Sequence, residues 1–259
     1  MLKGICVFSK NIKKAVEAGF DYVVLPGVEI AKMTDDEFNL LLKTVNENNI
    51  TVSGYNAYCN GETPIVGDGF SPEKTRDYAK LMCLRGKALG IKNIGIGAPF
   101  ARKLHEDYDM DKAFEQGAEF IKITAQEAEK YGFNVLAEGL SRYCCDFVHF
   151  LHEAYRLMKK VDMPNVKMVA DFYHMKLNGE LPTRAYTFLP NCLDVHISGC
   201  DDEMKRPFVG YSDKKELEAI SKVLKTEGYD ISVTLEPDDT DIDFEKKAKE
   251  AFDVMDSVF

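Results

Sequence analysis

Short apolar, β-rich runs alternate along this chain with longer stretches in which apolar residues recur every three to four positions. Runs of four to eight apolar or β-branched residues predict strands, and the 3.6-residue period predicts amphipathic helices. Eight strands are expected, at 2–8, 22–25, 51–54, 93–96, 134–137, 166–171, 193–197 and 231–235. Several are continuously apolar, as strands covered on both faces should be. Helix signals fall between them. Thr34 and Glu37 have capping-box spacing ahead of a Phe38, Leu41, Leu42, Val45 stripe. Ser71-Pro72 opens the next helix and Gly90 closes it. Ser212 is expected to cap the seventh helix, whose face is Leu217, Ile220 and Leu224 and whose stop is Gly228. Gly179 and Pro182 interrupt the sixth.

Eight βα units predict a parallel sheet, either closed into a barrel or open and doubly wound. An open dinucleotide-binding sheet needs a glycine-rich turn after its first strand, but Phe8-Ser9-Lys10-Asn11 stands there. Gly95-Ile96-Gly97 lacks the third glycine of that fingerprint and reads as a close-packed strand end. The expected architecture is therefore a (β/α)8 TIM barrel, one domain over residues 1–259, a length typical of that fold.

Composition narrows the function classes. A 45% apolar share supplies a sizeable core, so disordered and fibrous classes drop out. The net charge of -10 repels nucleic acid phosphates and anionic membranes, which excludes both as expected partners. No apolar run approaches the roughly 20 residues of a membrane span, and the opening Met1-Leu2-Lys3-Gly4 lacks a signal peptide's apolar region, so a cytoplasmic location is expected. Seven cysteines, an odd number with Cys144 and Cys145 adjacent, suggest reduced structural thiols. Nothing here excludes a homo-oligomer.

Active sites of such barrels form at the carboxyl ends of the strands. Four successive strands end on a metal-capable side chain: Glu138, Asp171, His196 and Glu236. Any one alone could be a polar residue bonded to a neighbouring loop. Together, three carboxylates at one rim repel unless a cation or protons neutralise them. Such a hard, oxygen-rich set suits one divalent ion, Mn²⁺ first, with Mg²⁺, Co²⁺ or Zn²⁺ as substitutes. His174, Arg142 and Arg206 lie in the loops just beyond and are candidates to hold substrate oxygens; a surface ion pair is the alternative for each Arg. His149 and His152 are expected on the outer ring, on the fifth helix, and His105 in the loop after strand four. Asp238, Asp239, Asp241 and Asp243 lack the pattern of a calcium loop and read as solvated charge at a helix start.

At these positions the chain resembles the sugar isomerase/epimerase superfamily of xylose-isomerase-like barrels, which includes ketose 3-epimerases, hydroxypyruvate isomerase, inosose dehydratase and endonuclease IV. Ala137-Glu138-Gly139-Leu140-Ser141-Arg142-Tyr143 is similar to the family's Leu-Glu-Pro-Leu-Asn-Arg-Tyr, and Asp171-Phe172-Tyr173-His174-Met175 to its Asp-Thr-Phe-His-Met. Pro164-Asn165-Val166-Lys167, Val195-His196-Ile197-Ser198, Arg206-Pro207 and Gly228-Tyr229-Asp230 before Leu235-Glu236 follow in the same order. The resemblance implies that Glu138, Asp171, His196 and Glu236 bind the metal, and that Glu138 and Glu236 also transfer protons. It further implies that His174 and Arg206 contact substrate oxygens, with a sugar or polyol as substrate. The implied activity is isomerase or epimerase chemistry through an enediolate. A lyase on the same centre, such as a keto-inositol dehydratase or a C-glycoside-cleaving enzyme, is the alternative. An abasic-site endonuclease is disfavoured by five histidines and the negative charge. Three positions depart from the pattern: Cys144 where ketose 3-epimerases carry a substrate-binding Glu, and Val24 and Gly199 where relatives often carry acids.

Overall fold

The eight expected strands pair in chain order, each parallel to its neighbours, and the last closes on the first. They are β1 Lys3–Cys6, β2 Tyr22–Pro26, β3 Thr51–Asn56, β4 Asn93–Ile96, β5 Asn134–Glu138, β6 Val166–Asp171, β7 Cys192–Ile197 and β8 Ser232–Leu235. Closure is made by Lys3, Gly4 and Ile5 opposite Val233, Thr234 and Leu235. The computed structural model describes residues 1–226, 228–229, 231–238 and 243–259. Asp230, Asp239 and Asp241 lie outside the described residues.

Helices follow every strand among the described residues: α1 Ile12–Ala18, α2 Gly27–Lys32, α3 Asp35–Glu47, α4 Pro72–Leu89, α5 Met110–Glu129, α6 Leu151–Val161, α7 Phe172–Leu177, α8 Lys214–Thr226 and α9 Phe244–Asp256. The capping box on α3 forms as its spacing predicts: the Glu37 N–H donates to Thr34 Oγ1 at 3.3 Å, and the Thr34 N–H to Glu37 Oε2 at 2.7 Å. Phe38, Leu41 and Val45 are buried beneath it. Ser71 caps α4, and Gly90 ends it at φ 74°.

One expected cap moves. Ser212 lies inside a 3₁₀ turn, Tyr211–Asp213, and the Asp213 carboxylate instead accepts from the Gly210 N–H at 2.8 Å. Gly210 takes the N-cap position, which leaves Ser212 inside the turn, and Asp213 supplies the acid half of a capping box. Leu217, Ile220 and Leu224 are nonetheless buried as predicted. The interruption at the sixth unit is also realised: α7 has six residues, Gly179 adopts φ 75°, and Pro182–Thr187 continue as a 3₁₀ helix.

Most of the core lies between strands and helices, while Cys6, Tyr22 and Val24 form a separate cluster. A Cβ on Gly4 would stand 2.0 Å from the Tyr22 ring, so this glycine makes room for the tyrosine. No described helix is long and apolar enough to cross a membrane.

Candidate metal centre

Glu138 ends β5, Asp171 ends β6, His196 is the penultimate residue of β7, and Glu236 follows β8. The register sets Asp171 directly beside His196. One ligand-capable atom from each of the four lies within 4.8 Å of all the others. His196 Nδ1 stands 3.0 Å from Glu236 Oε2, 3.6 Å from Glu138 Oε1 and 3.9 Å from Asp171 Oδ2. Glu138, Asp171 and His196 are buried, and Glu236 is nearly so.

Burial pushes the Glu138 carboxyl up, and neighbouring Glu236 and Asp171 add to the rise against the pull of His196. Burial also opposes ionisation of Glu236, but Arg206, His196 and Asn56 outweigh it and hold that carboxylate well below its usual range. Glu138 Oε1 is buried without a hydrogen-bond partner. A divalent cation fits this donor set: it would satisfy the orphaned oxygen and neutralise the crowded carboxylates. Gly97, just beyond β4, keeps the space open, because a Cβ there would come within 1.9 Å of Glu138 Oε2.

Arg206 reaches in from the loop after β7. Its Nη2 donates to Asp171 Oδ2 at 2.8 Å and lies 2.9 Å from Glu236 Oε2, with the guanidinium 4.5 Å above the Tyr173 ring. His174, on α7, is buried beside it. The Ser141 N–H donates to His174 Nδ1 at 3.0 Å, so a neutral ring carries its proton on Nε2. Arg206 Nη1 lies 3.2 Å from that Nε2. In that tautomer both nitrogens are donors, and both side chains line the cavity above the cluster. Burial, reinforced by Arg206 against the pull of Asp171, lowers His174 to about 4.

Above this cluster opens a cavity of about 360 Å³ lined by Leu140, Cys144, Tyr173, His174, Arg206 and Glu236, among others. The xylose isomerase-like TIM barrel family profile matches residues 12–258. The chain belongs to this family. One curated relative, the D-psicose 3-epimerase of Agrobacterium fabrum (strain C58), is 25% identical over 186 residues, which cover 66% of this chain and 60% of that protein. The matched segment is thus less than two thirds of the relative's length. Among solved structures, D-psicose 3-epimerase with D-tagatose from Clostridium cellulolyticum H10 superposes with a TM-score of 0.83 at 20% identity, covering 100% of this chain and 99% of the other. A 3-keto-D-glucoside 4-epimerase from E. coli gives 0.78 at 20% identity, with 99% of each chain covered. At these identities the superpositions show a shared fold.

This xylose isomerase-like barrel supports its cluster with residues that strand-end reasoning passed over. Asn56, the last residue of β3, donates through Nδ2 to Glu236 Oε1 at 2.6 Å. Asp194 Oδ2 lies 3.6 Å behind His196 Nε2, and Asp194 accepts from Thr234 Oγ1 at 2.9 Å; Thr234 in turn bonds Tyr22 at 2.7 Å. Carboxylates of this kind fix the orientation of a ligating imidazole. Two-residue periodicity on β7 puts Asp194 and His196 on one face, a signal that was available in the sequence. Arg102 is buried and donates to the main-chain oxygens of Ile96, Glu138 and Val148.

Other expectations need correcting. Arg142 is exposed, 5.4 Å from the Phe150 ring, and does not line the cavity. The 3.2 Å bond from its N–H to Asn178 Oδ1 ties its backbone toward α7 and leaves the side chain facing outward. His149 precedes α6 rather than lying on it, with Nε2 3.0 Å from the Cys145 carbonyl, whereas His152 is helical as expected. His105 faces Asp68 at 3.6 Å. Asp238 is exposed, as expected, and also accepts from the Arg206 N–H at 3.2 Å, joining the loops after β7 and β8, while Asp243 stands at the start of α9. None of the seven cysteines is paired, and Cys144 lines the cavity instead of the core.

Proposed function

We propose that this single barrel domain is a divalent-metal-dependent isomerase or epimerase of a sugar or sugar derivative, with Mn²⁺ as the metal and the cytoplasm as its location. The observation that carries the reading is the pair Glu138 and Glu236: two carboxyls of one four-residue cluster, both on the wall of the cavity of about 360 Å³ above it. The two glutamates have complementary roles. Glu236, kept ionised by Arg206 and His196, takes the proton from the carbon next to a carbonyl; Glu138 returns one. Glu138, Asp171, His196 and Glu236 would hold the cation, which supplies stabilisation of the negative charge developing on substrate oxygens. His174 Nε2–H and Arg206, neighbours on the cavity wall, orient a substrate oxygen. The ketose and keto-glucoside epimerases named above support the substrate class.

Incubating the Mn²⁺-loaded protein with a panel of ketoses in D₂O should place deuterium on a carbon beside the carbonyl. Glu138→Gln and Glu236→Gln should each slow exchange by roughly 10²–10⁴-fold. An empty panel would sink the reading. An enone absorbance or a released aglycone in place of exchange would favour the lyase alternative.

A further inference from the structure

The barrel mouth is divided by chemistry. The ion-binding candidates and Arg206 come from β5 to β8 and the loops after them, whereas the loops after β1 to β4 build a different surface. That surface is a cavity of about 880 Å³, lined mainly by apolar side chains such as Phe8, Met33, Leu40 and Phe100, with Lys10, Lys32 and Glu37 also on its walls. Leu40 is 63% exposed and Phe100 73%, a cost to solubility unless something covers them. The groove is continuous with the mouth. Phe8, Val28 and Ala57 also line a cavity of about 300 Å³ that reaches Asn56, Arg206 and Glu236.

A free monosaccharide carries a hydroxyl on nearly every carbon and would fill only a fraction of this groove. The 300 to 360 Å³ cavities over the carboxylates are of a size for one sugar ring. The 880 Å³ groove beside them has the volume and apolar lining of a site for a larger organic group. We infer that the substrate is a sugar bearing an apolar, aromatic-ring-sized substituent, with its keto end over Glu138 and Glu236 and the substituent in the groove of the first four loops. This rests on the proton-transfer reading for the sugar end and adds the substituent. Phe8 and Phe100 offer ring edges and faces to an aromatic group, and Ser9, which holds Glu29 through Oγ at 2.6 Å, keeps that acid turned to a protein partner.

The test compares D-fructose with 6-O-benzyl-D-fructose on the full Mn²⁺-loaded chain, by calorimetry and by D₂O exchange. The benzylated sugar is expected to bind at least about 30-fold more tightly. The double substitution Leu40→Ser with Phe100→Ser, at exposed positions outside the core, should bring that ratio to about threefold or less. Equal affinities, no binding of either sugar, or a preference untouched by the double substitution would overturn the inference. So would light scattering in which the double substitution splits a dimer while leaving the sugar preference intact, since the groove would then belong to a second copy. Preferential binding of the benzylated sugar without deuterium exchange would retain the groove and refute the proton-transfer reading, so the two failures are separable.

Discussion

The His174 side chain is held neutral by its surroundings, with its acceptor nitrogen used by the Ser141 N–H and its donor nitrogen facing Arg206. Its lowered value carries a stability signature. The unfolded ring binds a proton near pH 6.5, whereas the folded ring resists until about 4, so stability present above 6.5 is lost as pH falls toward 4. Replacing His174 with Gln should remove roughly 3 kcal/mol of that pH dependence. Urea titrations of both proteins at pH 7 and pH 4.5 would measure it, and parallel pH profiles would refute the assignment. At this scale, the sequence was readable wherever an apolar strand ran into a polar residue, as at Glu138 and Asp171. Asn56 was not, because Tyr55 and Asn56 extend β3 beyond the run expected to stop at 54. Arg102 gives no signal in the sequence, since nothing local distinguishes an arginine that donates to buried carbonyls from one facing water.

At the scale of elements, the site depends on strand ends staying in register, and Arg102 joins two of them. From the 3₁₀ turn Pro99–Arg102 it donates to the carbonyls that end β4 and β5 and to the loop before α6. Replacing it with Met would keep much of the volume but leave these buried oxygens without a donor. A loss of about 3 kcal/mol is expected, seen as a fall in Tm of about 6–12 °C for a chain of this size. Because one of those oxygens belongs to Glu138, Mn²⁺ affinity should weaken as well. A variant melting within a degree of the parent, with unchanged metal affinity, would show that water or backbone shifts replace the clamp. Element boundaries were less legible than element identity. Glycine and capping signals placed α3, α4 and the broken sixth unit correctly. The start of α8 was misplaced at Ser212, because the loop geometry that puts Gly210 at the N-cap is not local to the sequence.

For the whole molecule, the closed barrel was legible from eight alternations and a first turn without glycines, but the mainly apolar groove beside its carboxylate cluster was not. Phe8, Leu40 and Phe100 lie far apart in sequence, and only closure brings them together. The same closure concentrates three carboxylates in a chain already carrying a net charge of -10, so an ion at the centre should couple directly to folding. At 100 times its Kd, Mn²⁺ should stabilise the protein by about 2.7 kcal/mol, a rise in Tm of about 5–10 °C. Glu138→Gln provides the internal control. Because the Glu138 carboxyl is pushed up in the folded protein, its contribution favours folding at low pH and is lost as pH climbs through the raised value. The metal-free variant should therefore melt at or above the parent at pH 8, with the gap narrowing toward pH 5. The same variant should lose most of the Mn²⁺-induced rise, because one ligand is gone. Differential scanning calorimetry of both proteins with and without Mn²⁺ at the two pH values would decide it. If manganese raised the Tm of the variant as much as that of the parent, the ion would be binding elsewhere and the carboxylate cluster would need another explanation.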